Sequence, residues 1–192
     1  MLVALPAYAG MAVVAEPLVF TVLGEKWQEI ATTLPLLCVA MMMLTLQILF
    51  APATNAMGKA GIALRISMAG SVVMPLVFLL AAPNGLTGLA LGWIIGMAVM
   101  LGLTIASSMR PLGLSLSQLG IAIAPPAFAA IAMAAGVMAI GRMLPPMSAF
   151  AELALLVPLG GVLYLGAMQI IARERLLEAL HFALGKADPI GP

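Results

Sequence analysis

Residues 86–109 read LTGLALGWIIGMAVMLGLTIASSM, a run without a single charge. A membrane-crossing helix needs ~20 mainly apolar residues to traverse a ~30 Å hydrocarbon core, and this run supplies them. It does not alternate apolar and polar residues with the period of two that a barrel strand requires. In lipid, a helix satisfies all of its own backbone polar groups. The run is therefore read as a membrane-spanning helix. Within it Gly88, Gly92 and Gly96 recur every four residues and share one face, with Ala90 and Ala98 nearby. Such a face lets a second backbone approach closely. Tight helix packing accounts for it; a groove exposed to a transported substrate is the alternative.

Working outward, similar apolar stretches occupy about 2–23, 30–56, 61–82, 118–141 and 149–172. The chain has 192 residues, of which 64% are hydrophobic and 8% charged; a soluble domain carries roughly a quarter charged residues. So few charges cannot cover a surface in water, yet they suffice for the short loops of a membrane bundle. The expected fold is an all-α membrane protein, a bundle of about six transmembrane helices with short loops and a C-terminal amphipathic tail helix. Prolines at 17, 35, 52, 75, 125, 126 and 158 interrupt most of these runs and are expected to kink them.

The connections, 24–29, 57–60, 83–85, 110–117 and 142–148, are short, so consecutive helices are expected to be antiparallel neighbours. Loops then alternate between two sides. One side collects Lys59, Arg65, Arg110, Arg173, Arg175 and Lys186; the other has Lys26 and Arg142. The positive-inside rule makes the first side cytoplasmic and places both termini there. Residues 173–192 are expected to form a cytoplasmic tail, with Leu176, Leu177, Leu180 and Leu184 on one face of a surface helix ending at Gly185. Met1 to Met11 lacks a basic lead, so this segment is expected to stay in the membrane rather than be cleaved.

A net charge of +1 argues against a nucleic-acid partner. One cysteine, Cys38, and one histidine, His181, leave no ligand cluster for a transition metal. Cys38 reads as a small buried hydrophobe. His181 stands in the tail, away from any nucleophile, so no Ser-His or Cys-His pair can be assembled. No catalytic group, cofactor or metal is expected, and an enzyme is not.

The remaining polar residues are candidates for a transport path. Glu16, beside Pro17, is the carboxylate placed well inside an expected span. Intramembrane acids normally face a cavity or a partner, which makes it a candidate proton or cation site; snorkelling into an aqueous vestibule is the other reading. Gln47 and Asn55 are eight apart on the second stretch, with Thr45 and Thr54 between or beside them. They are expected to stack on nearly one face and to line a polar path, or else to bond between helices. Lys59, Arg65 and Arg110 could hold a phosphate, pyrophosphate or lipid headgroup, since guanidinium matches such anions in bidentate fashion. Ordinary anchoring at the cytoplasmic face is the alternative.

Three landmarks carry a family resemblance. Ala15-Glu16-Pro17-Leu18-Val19-Phe20-Thr21-Val22-Leu23-Gly24-Glu25-Lys26-Trp27 is followed by a long apolar helix that ends Asn55-Ala56-Met57-Gly58-Lys59, and then comes Asn84-Gly85-Leu86-Thr87-Gly88-Leu89-Ala90. In this order, across about 1–110, they resemble the C-terminal portion of bacterial oligosaccharide flippases. These form the polysaccharide transporter family of the multidrug/oligosaccharidyl-lipid/polysaccharide exporter superfamily. The resemblance implies a bacterial inner membrane location and a role in lipopolysaccharide or exopolysaccharide assembly. It implies translocation of undecaprenyl-linked oligosaccharide by alternating access. Family members have about twice as many spans, in two lobes, so it also implies a missing N-terminal lobe or partner chain. A cation-coupled multidrug-type antiporter lobe, in which Glu16 would be central, and a non-transport scaffold subunit of a polysaccharide assembly complex are the competing expectations.

Overall fold

Proline and glycine decide where the apolar runs break. The structure, a computed structural model, describes the backbone of residues 1–183 and the side chains of residues 1–172. Its α-helices are α1 (Ala4–Val13), α2 (Ala15–Val22), α3 (Gln28–Ile48), α4 (Phe50–Ala56), α5 (Ala60–Ala81), α6 (Gly85–Leu112), α7 (Leu116–Gly141) and α8 (Ala149–Ala183). Short 3-10 turns at Glu25–Trp27 and Ala82–Asn84 complete the ordered elements. No strand occurs among the described residues. The chain is all-helical, as expected.

The first apolar stretch is not one straight span. α1 and α2 meet at Val14 with a bend of 78°. Pro17 has no N–H for the carbonyl of Val13, and its ring crowds that carbonyl, so the helix must turn there. A milder interruption separates α3 from α4 at Leu49, where Pro52 likewise cannot donate to the carbonyl of Ile48.

Residues Ala60–Leu112 form an apolar helical stretch of 53 residues, far beyond the ~20 that one crossing takes. The stretch folds back on itself. Gly85 adopts a φ of 69°, which favours glycine at the turn, and the helices on either side pack together. A Cβ on Gly92 would lie 2.7 Å from the Cβ of Ala81, one on Gly96 2.8 Å from the sulfur of Met74, and one on Gly70 3.2 Å from the methyl of Met100. As one partner's number rises the other's falls. α5 and α6 are therefore an antiparallel hairpin, zipped through the glycine face of α6.

Packing orders the helices as α5, α6, α3, α1, α7, α8, each resting on the next. One expectation is corrected here: α6 and α7 follow each other in sequence, but α7 packs on α8 and α1 rather than on α6. α3 and α1 lie between α6 and α7, and α1 packs on α3 on one side and α7 on the other, where a Cβ on Gly10 would lie 3.8 Å from the methyl of Met133.

The surface is greasy. Leu80 is 78% exposed and Ile170 87%, while Thr54, Thr104 and Ser108 are buried. Apolar outside with hydroxyls inside is the arrangement lipid favours and water does not. At its far end α8 leaves helical geometry at Ala172 (φ −153°, ψ 57°) and resumes to Ala183. This break coincides with the expected boundary between last span and tail. The tail's expected leucine face and the stop at Gly185 lie outside the described side chains.

Candidate functional site

Polar side chains converge where α3, α4, α5 and α6 meet. Gln47 from α3, Thr54 from α4, Ser67 from α5 and the pair Thr104 and Ser108 from α6 line a cavity of about 180 Å³. Thr104 and Ser108 are four apart, so one face of α6 presents both. Thr54, Thr104 and Ser108 are buried there, Gln47 is half-buried and Ser67 is exposed at the cavity's edge.

Their hydrogen bonding divides them into two kinds. Thr104 donates its hydroxyl to the carbonyl of Met100 at 2.7 Å, and Thr54 lies 3.0 Å from the carbonyls of both Phe50 and Ala51. These hydroxyls are satisfied as donors on their own helices, leaving oxygen lone pairs as acceptors. By contrast Gln47 Oε1 and Ser108 Oγ are buried with no partner. Ser108 is fully buried. A buried polar atom left unpaired costs roughly 1–3 kcal/mol, so these two atoms mark where a ligand or water belongs.

The cations gather at one end of the same helices. Lys59 caps the start of α5 and donates from Nζ to the carbonyl of Pro111 at 3.1 Å, in the last turn of α6. Arg110 is exposed in that same turn. Gly113, in left-handed conformation, closes α6 with bonds from Gly113 N–H to Arg110 O and from Leu114 N–H to Met109 O. Arg65 is exposed on α5 and does not line the cavity. With a rise of 1.5 Å per residue, the lining residues Ala63 and Ser67 stand about 6–12 Å along α5 from Lys59. The polar cavity thus sits a turn or two inside the bundle from a cationic end.

The other sequence candidates are placed apart. Asn55 is exposed and does not line the cavity; Thr54 does. At about 100° per residue Asn55 stands about 80° round a helix from Gln47, whereas Thr54, seven residues on, is only about 20° off, so Thr54 rather than Asn55 shares its face. Glu16 is exposed in the first turn of α2 and does not line this cavity either. The break at Val14 gives it a new helix N-terminus, where a carboxylate interacts favourably with the helix dipole. Gly88, Gly92 and Gly96 form the α5–α6 contact: a Cβ on Gly88 would lie 2.7 Å from the carbonyl oxygen of Ala81 and would also meet Asn84. Among the described residues no group of three or more His, Cys, Asp or Glu is placed to hold a metal ion.

A second, larger cavity of about 590 Å³ lies between α1, α7 and α8. It is lined almost wholly by apolar groups, including Leu2, Met11, Val137 and Leu165. The Tyr164 hydroxyl at its edge donates to the carbonyl of Leu2 at 2.7 Å.

Comparison with known proteins adds one relative. A Klebsiella pneumoniae protein described as an uncharacterized membrane protein in cps region is 30% identical over 95 residues, which is 49% of this chain and 20% of that protein. The match thus spans a fifth of the relative's length. No family model matches the chain, and no solved structure matches it. Together with the helices and the inverted polarity, the relative leaves one class. The chain is an all-helical membrane protein.

Proposed function

We propose that this membrane protein is polysaccharide-associated, and that it acts as the C-terminal half of a flippase or exporter moving a lipid-linked oligosaccharide across the inner membrane. The single observation that carries the reading is the hydroxyl- and amide-lined cavity, a turn or two inside the cationic end of an otherwise greasy bundle. An amphiphile with sugar, pyrophosphate and long hydrocarbon needs those three environments. Gln47, Thr54, Thr104 and Ser108 offer hydrogen bonds to sugar, while Lys59, Arg65 and Arg110 offer charge to the pyrophosphate. Surrounding lipid takes the hydrocarbon. The work is binding and re-exposure, with no covalent step and no cofactor.

A relative described by its place in a cps region supports the polysaccharide part of the reading, taking cps as capsule polysaccharide. Alternating access requires a second unit to move against, so a partner lobe completes the machine. Glu16, exposed and away from the polar cavity, favours this reading over an antiporter centred on that carboxylate.

Complementation tests it. A strain deleted for its oligosaccharide flippase is supplied with this chain, alone and with a co-expressed N-terminal lobe. Recovery of surface polysaccharide with the pair is expected, and its loss on the double substitution of Lys59 and Arg110 to Gln. No recovery in either arm contradicts the proposal.

A further inference from the structure

Resting on the transport reading above, we infer that the cavity between α3, α4, α5 and α6 is a binding site for one uncharged sugar unit and excludes acidic ones. The decisive features are the two orphaned atoms and the absence of any ionisable side chain from the lining. Gln47 Oε1 can only accept a hydrogen bond, whereas the Ser108 hydroxyl is free to donate as well as accept. A single ligand hydroxyl lying between them donates to Gln47 Oε1 and accepts from Ser108. Thr54 and Thr104, whose hydrogens are already directed to their own helix carbonyls, keep acceptor capacity for neighbouring ligand hydroxyls. The lining thus presents acceptor oxygens of Gln47, Thr54 and Thr104 and a donor hydroxyl of Ser108 to a ring that carries several hydroxyls.

Size and charge narrow the class. The cavity's volume of about 180 Å³ corresponds to about six waters at ~30 Å³ each, more than two orphaned atoms need and the scale of one sugar ring rather than two. A carboxylate entering it finds no cation: Arg65 is exposed and off the lining, Arg110 is exposed, and Lys59 is bonded to Pro111 O at the bundle's end. Burying a charge without a partner is costly enough to bar it. Anionic groups are therefore sorted to the cationic end and neutral hydroxyls to the interior.

The test uses the full chain in phosphatidylethanolamine/phosphatidylglycerol nanodiscs and ligand-observed saturation-transfer NMR. The probes are methyl glucoside and methyl glucuronide, which differ at one carboxylate. Saturation transfer to the glucoside and none to the glucuronide is expected. Ser108→Ala and Gln47→Leu should each weaken glucoside binding about fivefold, the worth of one ordinary hydrogen bond. Ser107→Ala, at an exposed neighbour, should leave it unchanged. Ser108→Ala removes one buried atom and serves if Gln47→Leu fails to fold. Equal binding of both probes overturns the inference. So does binding unchanged by the cavity variants, or no binding of either probe, which would mean a cavity filled by water alone. Because the readout involves no transport, a failed complementation beside intact glucoside binding would reject the flippase reading while leaving this site standing.

Discussion

Between α7 and α8 the helices meet through Met133, Val137, Leu156 and Met168, and Val14 at the α1–α2 bend completes an apolar core. Between α3, α4, α5 and α6 the buried residues include Thr54, Thr104 and Ser108, beside Gln47 with its orphaned oxygen. Both halves face the same lipid. In lipid, burial of apolar surface does little to drive helix association, so packing contacts and small residues must hold each half together. The α7–α8 half has an apolar core and an apolar-lined cavity; in the α3–α6 half the cavity is lined by hydroxyls and an amide. Unpartnered buried polar atoms are costly, and the two that line one cavity, Gln47 Oε1 and Ser108 Oγ, belong to the α3–α6 half, where the proposed function places the ligand.

Stability measurements can break that contrast. Met168 has no exposed surface, so Met168→Ala should destabilise by about 2–5 kcal/mol, toward the lower end because lipid rather than water solvates the unpacked helix. SDS-driven unfolding in mixed micelles measures it. Next, Gly92→Ala pushes a methyl into Ala81 and should cost about 1–3 kcal/mol. Gly161, on the apolar cavity, has nothing within 4 Å of an added Cβ. There alanine should be neutral or gain up to ~1 kcal/mol from helix propensity. Equal effects at the two glycines would contradict the close approach of α5 and α6 at Gly92. Smallest, Tyr164→Phe removes the hydroxyl that donates to Leu2 and should cost about 0.6 kcal/mol, the usual size of an interhelical hydrogen bond in a membrane.

Much of the fold was legible in the sequence, because hydrocarbon thickness sets span length and the apolar runs show it directly. The glycine face of α6 was legible for the same reason: spacing by four fixes one face whatever the partner. The partner's identity was not. That α7 rests on α1 rather than on its sequence neighbour α6 depends on which surfaces fit, and a loop permits adjacency without requiring it. Pro17 announced a disturbance, but a bend of 78° reflects tertiary packing as well as one missing hydrogen bond. The candidate site was half visible. Gln47 was legible, whereas Asn55, eight residues on and about 80° round a helix, is a poorer match to its face than Thr54, seven residues on and about 20° off. Thr104 and Ser108 were missed, though hydroxyls four apart in a span were the available signal; such residues usually bond their own helix, as Thr45 does to the carbonyl of Met41. α7 starts at Leu116, two residues before the expected 118, and the signal that marks it is a cap. Ser115 and Gln118 form a reciprocal cap, with Ser115 N–H to Gln118 Oε1 at 2.9 Å and Gln118 N–H to Ser115 Oγ at 3.2 Å.

Two helices, α5 and α6, run between Lys59 and Arg110, so the proposed topology returns both cations to one membrane face. Single cysteines at Lys59, Arg110, Lys26 and Arg142, each in a Cys38→Ala background, can be reacted with a membrane-impermeant maleimide in intact and opened cells. Lys59→Cys and Arg110→Cys should react only once the cytoplasmic face is opened, and Lys26→Cys and Arg142→Cys in intact cells with a permeabilised outer membrane. Finding Lys59→Cys and Arg110→Cys on opposite faces would contradict the hairpin of α5 and α6, and with it the bundle and the site built on it.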